Sequence, residues 1–343
     1  MKKIGICGSF DFKTNDHGGQ PVKTRQLYYE LCKTVGKDNI EIVEMFKKKR
    51  IKVFCGCIKA IFSCKEIIML PAHNGLPILT LLLNLFNKLL RRKLHYVVIG
   101  GWLPEYLDSH KITAKFLKKN FSGIYVETKF MKSELNHRGF NNVHIFPNYK
   151  DINVICENDL SLVDDSPIKV CFFSRVTEKK GIEDAVRAVM EINSDSKKCL
   201  LELDIYGLID IAFSEKFEEL LKASTNYVQY KGIANPNDSV SVLKNYALQL
   251  FPTKFRTEGI PGSVVESFFA GVPVVASKWN SFDDVIDDGI TGIGFEFGNY
   301  DDFKVKLQNL ACDYEKINRM KKHCINAAEK YKAECKKRME MFF

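Results

Sequence analysis

The sequence predicts an α/β fold of two doubly wound halves, each a parallel sheet covered by helices on both faces. Three observations carry that expectation. Short apolar runs alternate with amphipathic stretches of helical period, the pattern of strands connected by crossover helices. The pattern breaks at Phe146-Pro147-Asn148-Tyr149 and then restarts. A chain of 343 residues also suits two domains of ordinary size, each able to bury its own core.

The elements follow in order. Residues 3–8 form a short buried strand ending in glycine, and a polar loop over 9–19 leads into a helix carrying Leu27, Tyr28, Leu31 and Val35. Further strands fit 66–70, 95–99 (which stops at Gly100-Gly101), 123–126 and 143–146, with helical stretches between most of them. Residues 151–167 are polar and weakly patterned. A second series then begins with a strand at 169–173, a helix over 181–192 and a strand at 200–206. Strands at 228–230, 248–251 and 272–276 continue it, and a lysine-rich helical stretch over 304–341 closes the chain. The halves are Rossmann-like, with a boundary near residue 150.

Composition narrows the function classes. The chain is 45% hydrophobic and 27% charged, ordinary for a globular protein and unlike a disordered one. Met1-Lys2-Lys3 leads straight into a four-residue run, Ile4-Gly5-Ile6-Cys7, too short for a secretory signal. The longest apolar stretch, 76–90, is interrupted by Asn84, Asn87 and Lys88 and falls short of the ~20 residues of a membrane span. The 11 cysteines are scattered, and only Cys55-Gly56-Cys57 is close-set, with no second pair at zinc spacing. The expectation is free thiols in a reducing cytoplasm. Charge is uneven: residues 1–150 hold 26 Lys and Arg against 11 Asp and Glu, whereas 151–343 hold 25 against 31. Two readings of the basic half are open, an anionic partner or lysines solvated on surface helices.

Two loops carry chemistry. The first, Ser174-Arg175-Val176-Thr177-Glu178-Lys179-Lys180-Gly181, lies between a strand and a helix, at the carboxyl end of the sheet where open α/β folds bind ligands. Arg175 and Lys180 there suit a diphosphate leaving group; a charge pair at ~4 Å gains about 4 kcal/mol at an effective dielectric near 20. The second runs from Pro252 through Glu258-Gly259-Ile260-Pro261-Gly262 into a helix over 263–270 that includes Glu266. A glycine-bearing loop feeding a helix presents free N–H groups to phosphate. Carboxylates beside such a seat repel phosphate, so Glu258 and Glu266 suit sugar hydroxyls. Taken alone, this segment is equally well an ordinary strand–turn–helix with two solvated acids.

Taken together, Arg175, Lys180-Gly181, the pair Glu258 and Glu266, Gly271-Val272-Pro273-Val274-Val275-Ala276, Pro147-Asn148 and Gly18-Gly19 resemble glycosyltransferase family 4, the retaining group 1 glycosyl transferases, of the bacterial surface-polysaccharide type. The resemblance is strong over 165–300 and loose over 1–150. It implies a GT-B fold, with two Rossmann-like domains facing across a cleft and the final helix crossing back to the first. The domains would be 1–150 with a C-terminal helix about 325–343, binding acceptor, and 151–324, binding the nucleotide sugar. It further implies that Arg175 and Lys180 hold the donor diphosphate and Glu258 the transferred sugar. Gly259, Ile260, Pro261 and Gly262 would line sugar and phosphate, and Glu266 would bind the ribose. Gly18 and Gly19 would let backbone approach the phosphates.

Where many family members carry a first-domain His or acid, this chain has Gly100-Gly101. His73, in the loop after the strand at 66–70, is an acceptor-side candidate or a histidine bonded locally. No Asp-x-Asp occurs anywhere, so no metal and no other cofactor is expected. The expected function is transfer of a hexose or N-acetylhexosamine from a nucleotide sugar, most simply a UDP-sugar, to a glycan or lipid-linked oligosaccharide. The alternative is a GT-B epimerase or a non-catalytic member binding nucleotide or anionic partners. A dinucleotide oxidoreductase is disfavoured by the glycine spacing of Gly5-Ile6-Cys7-Gly8-Ser9-Phe10. A nucleic-acid partner is disfavoured because no helix-turn-helix, zinc knuckle or RNP-like strand is present. The basic amphipathic stretches 50–62 and 79–93 suit either an anionic membrane surface or core helices with a basic outer face, so a cytoplasmic or peripheral inner-membrane location is expected.

Overall fold

The computed structural model describes residues 2–12, 19–150, 152–224 and 226–342. The chain divides into two compact units, Met1–Tyr149 with Glu334–Phe343, and Lys150–Ala333.

Unit 1 runs β1 (Lys2–Gly8), α1 (Gly19–Val35), β2 (Ile40–Glu44), α2 (Arg50–Ser63), β3 (Cys64–Met69), α3 (Leu76–Leu90), β4 (Lys93–Val97), α4 (Leu103–Ser109), α5 (Lys111–Asn120), β5 (Gly123–Val126), α6 (Lys129–His137) and β6 (Val143–Ile145). The six strands are parallel in the order β2-β1-β3-β4-β5-β6, with Ile6 opposite both Ile42 and Ile68. Because β1 is buried on both faces, its apolar residues serve two cores. Cys7 joins the layer under α2 and α3, while Ile4 and Ile6 pack with Leu27 and Leu31 of α1. The strand order reverses between β1 and β3, which opens a crevice beyond their carboxyl ends. There Gln20, in the first turn of α1, donates to the carbonyl of Leu70 at 2.9 Å.

Unit 2 runs β7 (Ile168–Phe173), α7 (Ile182–Ser196), β8 (Leu201–Tyr206), α8 (Ser214–Ala223), β9 (Val228–Gly232), α9 (Ser239–Leu243), β10 (Leu248–Phe251), α10 (Gly262–Phe269), β11 (Val274–Ser277), β12 (Gly292–Phe295), α11 (Tyr300–Ala311) and α12 (Tyr314–Phe342). Its sheet is also parallel, ordered β12-β11-β10-β7-β8-β9. The order reverses between β7 and β10, which pair through Leu248 opposite Val170. The two loops singled out in the sequence leave the sheet at this switch point.

Three features depart from the sequence expectation. β2 and β12 are additional strands, each at a sheet edge. The stretch 304–341 is two helices rather than one, with Cys312 and Asp313 between α11 and α12. Helix α12 buries Ile317, Met320, Cys324 and Ala328 in unit 2. Its residues from Glu334 onward belong to unit 1, where Arg338 donates to the carbonyl of Ile145 at 3.4 Å.

Candidate active site

In unit 2 the β7 loop is held extended beside β8: Ser174 donates to Tyr206 at 3.1 Å and Val176 to Leu208 at 2.9 Å. Thr177 then caps a single turn, Glu178–Lys180, its hydroxyl accepting from the Lys180 N–H at 3.3 Å. Gly181 ends that turn at φ +79°, and a Cβ there would overlap the carbonyl of Pro252. Glycine is therefore what lets the Lys180 turn lie against the β10 loop, where the Lys254 N–H donates to Lys179 at 2.8 Å.

That contact brings two distant motifs together. The Lys180 ammonium pairs with Oε1 of Glu258 and lies 5.3 Å and 5.4 Å from the ring centroids of Phe251 and Phe255. The same oxygen accepts from the hydroxyl of Thr253 at 3.0 Å. Among the described residues Oε2 of Glu258 has no partner, although the side chain is only 14% exposed. The carboxylate is thus fixed by one oxygen and presents the other.

Beyond it, Gly259, Ile260 and Pro261 are buried, and Gly262 opens α10. The carbonyl of Pro261 accepts from Val264 at 3.1 Å and Val265 at 3.3 Å. The N–H groups of Gly262 and Ser263 have no acceptor among the described residues, leaving two donors at the helix mouth. Glu266 is the fifth residue of α10, 9% exposed at its side chain, and it pairs with Lys150 at 2.7 Å. Arg175 is exposed and has no partner among the described residues. The structure thus brings Lys180 and Glu258 into contact and gives Glu266 a different cation. Lys150 and Thr253 are additions to the site. Thr253 was within reach of a sequence reading, five residues before Glu258 in the same loop; Lys150 lies 116 positions from its partner and left no local signal.

In unit 1, Gly18 lies outside the described residues. Gly19 opens α1, and a Cβ built on it meets nothing within 4 Å, so packing does not require glycine there. His73 follows β3, exposed, stacked on Trp102 with centroids 3.7 Å apart and 27° between planes. Its carbonyl accepts from the hydroxyl of Tyr106 at 3.1 Å. Desolvation lowers its pKa, so the imidazole is neutral at neutral pH, and its ring nitrogens have no partner among the described residues. Trp102 and Tyr106, which hold His73, were not among the residues expected from sequence. No group of three or more His, Cys, Asp or Glu among the described residues is placed to hold a metal ion.

A six-stranded parallel sheet with an acid, a lysine and helix N–H groups that have no acceptor among the described residues at its switch point is the arrangement at which open α/β folds seat anionic ligands. The family described as glycosyl transferases group 1 matches residues 159–330, just over half of the chain. The chain belongs to this family. An uncharacterized glycosyltransferase of Methanocaldococcus jannaschii is 25% identical over 130 residues, 37% of this chain. The match spans only 31% of that relative's length. Among solved structures, sucrose-phosphate synthase from Thermosynechococcus elongatus is similar with TM-score 0.75 and 12% identity, over 100% of this chain and 98% of that one. Anabaena HepE, solved with UDP-glucose, gives TM-score 0.73 and 13% identity over 100% and 99%. The pneumococcal O-GlcNAc transferase GtfA, solved with UDP and GlcNAc, gives 0.64 and 18% over 90% and 62%. At these identities the likeness shows the fold, which is GT-B.

Proposed function

We propose that the chain is a metal-independent, retaining glycosyltransferase of family 4, using a UDP-sugar and acting on a glycan or lipid-linked oligosaccharide in surface polysaccharide synthesis, on the cytoplasmic side. The observation that carries this reading is Glu258, held through Oε1 by Lys180 and Thr253 with Oε2 free at the switch point of the sheet. The free oxygen accepts from hydroxyls of the transferred hexose or N-acetylhexosamine. Lys180 and Arg175, with the N–H groups of Gly262 and Ser263, meet the charge that develops on the diphosphate, the work that a metal ion does in other transferases. Backbone of Gly259, Ile260, Pro261 and Gly262 lines the sugar and phosphates. Glu266, paired with Lys150 at 2.7 Å, binds the ribose hydroxyls. Gly19 gives backbone access to phosphate, together with Gly18, and His73 contacts the acceptor.

In the reaction the acceptor oxygen bonds to the anomeric carbon on the face from which the nucleoside diphosphate leaves. The bond from that carbon to phosphate oxygen breaks, and the acceptor's proton passes to a phosphate oxygen. That HepE was solved with UDP-glucose and GtfA with UDP and GlcNAc supports a UDP-sugar donor here. Calorimetric titration of uridine, guanosine and adenosine diphosphates in EDTA tests the donor site. Uridine diphosphate is expected to bind selectively, and Lys180→Ala to weaken it about tenfold or more. Binding that needs a divalent ion, or that ignores Lys180, would contradict the reading.

A further inference from the structure

The helical layer over one face of the unit 1 sheet is apolar where a globular protein would be polar. Leu76, Leu79 and Leu83 of α3 face the core, yet Ile78, Leu81, Leu85 and Leu89 face outward and are 60%, 56%, 61% and 83% exposed. Their spacing of three, four and four residues places them along one stripe of the helix. Helix α2 continues the patch, since Phe62, 52% exposed, meets Phe86 of α3 with ring centroids 6.4 Å apart. A helix with leucines on both its core side and its outer side is normally buried; this one is not.

The surround is cationic. Residues 47–93 hold eleven Lys and Arg against one acid, Glu66, and Glu66 is already paired with Lys93 at 3.2 Å. Lys48, Lys49, Arg50, Lys52 and Lys88 are exposed and form no ion pair among the described residues. Among the described residues no helix is long and apolar enough to cross a membrane, and α3 is 15 residues long.

From these observations we infer that the outer face of α2 and α3 docks on an anionic lipid bilayer, the aliphatic stripe entering the headgroup–acyl boundary and the lysines meeting lipid phosphates. Charge selects this occupant. A second copy laid on the same face would bring two cationic rims together, which is repulsive. A nucleic acid would use the cations but has no use for an isoleucine and leucine stripe, because base recognition needs stacking or hydrogen-bonding groups. The inference goes beyond glycosyl transfer and does not depend on it.

Flotation of the full chain with vesicles of phosphatidylcholine alone, or with phosphatidylglycerol added, tests it without any sugar nucleotide. Wild type is expected to float only with anionic vesicles and to be released by salt. Two variants separate the contributions, Leu81→Glu with Leu85→Glu, and Lys48→Ala with Lys49→Ala and Arg50→Ala. Each is expected to lose about tenfold or more in partitioning while melting like wild type. Indifference to lipid charge, or flotation of both variants equal to wild type, would overturn the proposal. So would a wild-type dimer that the leucine variant converts to monomer, which would assign the face to a second copy.

Discussion

Glu258 and Glu266 are both glutamates but are held by different cations. Glu258 is fixed through one oxygen and exposes the other beside Lys180, whereas Glu266 is buried deeper against Lys150. In the proposed reaction, removal of Glu258 acts where charge changes during transfer. Glu258→Ala is expected to lower kcat about a hundredfold or more. Glu266→Gln is expected to raise the donor KM about tenfold while leaving kcat within about threefold. Steady-state kinetics on both variants decides it; small and equal effects would contradict the assignment. Both acids were legible in the sequence because each sits on a strand–loop–helix with glycines at the mouth. Their cations were not legible as partners. Lys180 is 78 positions from Glu258, and the β7–β10 pairing with the close approach at Gly181 brings them together; Lys150 is 116 from Glu266, and its segment is laid against α10 where the Ile155 N–H donates to the carbonyl of Phe269 at 3.0 Å. Trp102 and Tyr106 were hidden similarly, since the stack of Trp102 and the edge contact of Tyr106 on His73 depend on how the loop after β3 meets the start of α4.

At the scale of elements, the strands read most easily were central ones with a run of buried apolar residues, such as 67–69 in Cys64–Met69 and 170–172 in Ile168–Phe173. The two missed strands are edges. Ile40–Glu44 carries two glutamates in five residues, and Gly292–Phe295 is four residues with two glycines. Short, polar or glycine-bearing edges resist unwanted pairing and for the same reason give a weak strand signal. Helix α12 holds a further surprise: Lys321 is fully buried and donates to the carbonyl of Tyr246 at 2.7 Å. Desolvation lowers its pKa from the ordinary 10.5 to about 8. Below about pH 8 both folded and unfolded chains hold the proton, so the cost of burying the charge is fully present there. Between about 8 and 10.5 the folded chain gives up its proton before the unfolded one does, and this residue's contribution to stability rises with pH. Lys321→Met removes that titration. The stability difference between the variant and wild type is expected to move about 2 kcal/mol in the variant's favour as pH falls from about 9.5 to 7. Denaturant melts at the two pH values measure it, and a difference independent of pH would show that the buried lysine does not titrate in this window.

For the whole molecule, charge and architecture divide the labour between the halves. Residues 1–150 are net basic and 151–343 net acidic, yet the residues proposed for donor chemistry, Lys180, Arg175, Glu258 and Glu266, all lie in the acidic half. In the proposed reading the local cations at the switch point, rather than net charge, set where a diphosphate sits, and the basic excess of unit 1 is left for another surface. The proposed function is transfer of a sugar from a nucleotide donor through the Glu258 and Lys180 pair. Its most direct test is incubation of the full chain with a panel of UDP-, GDP- and ADP-sugars in EDTA, following release of nucleoside diphosphate and the anomeric configuration of the sugar by NMR. Release of uridine diphosphate from one donor, with retained configuration and loss of activity in Glu258→Ala, is the expected result. No release from any donor, or release unchanged in that variant, would contradict the claim.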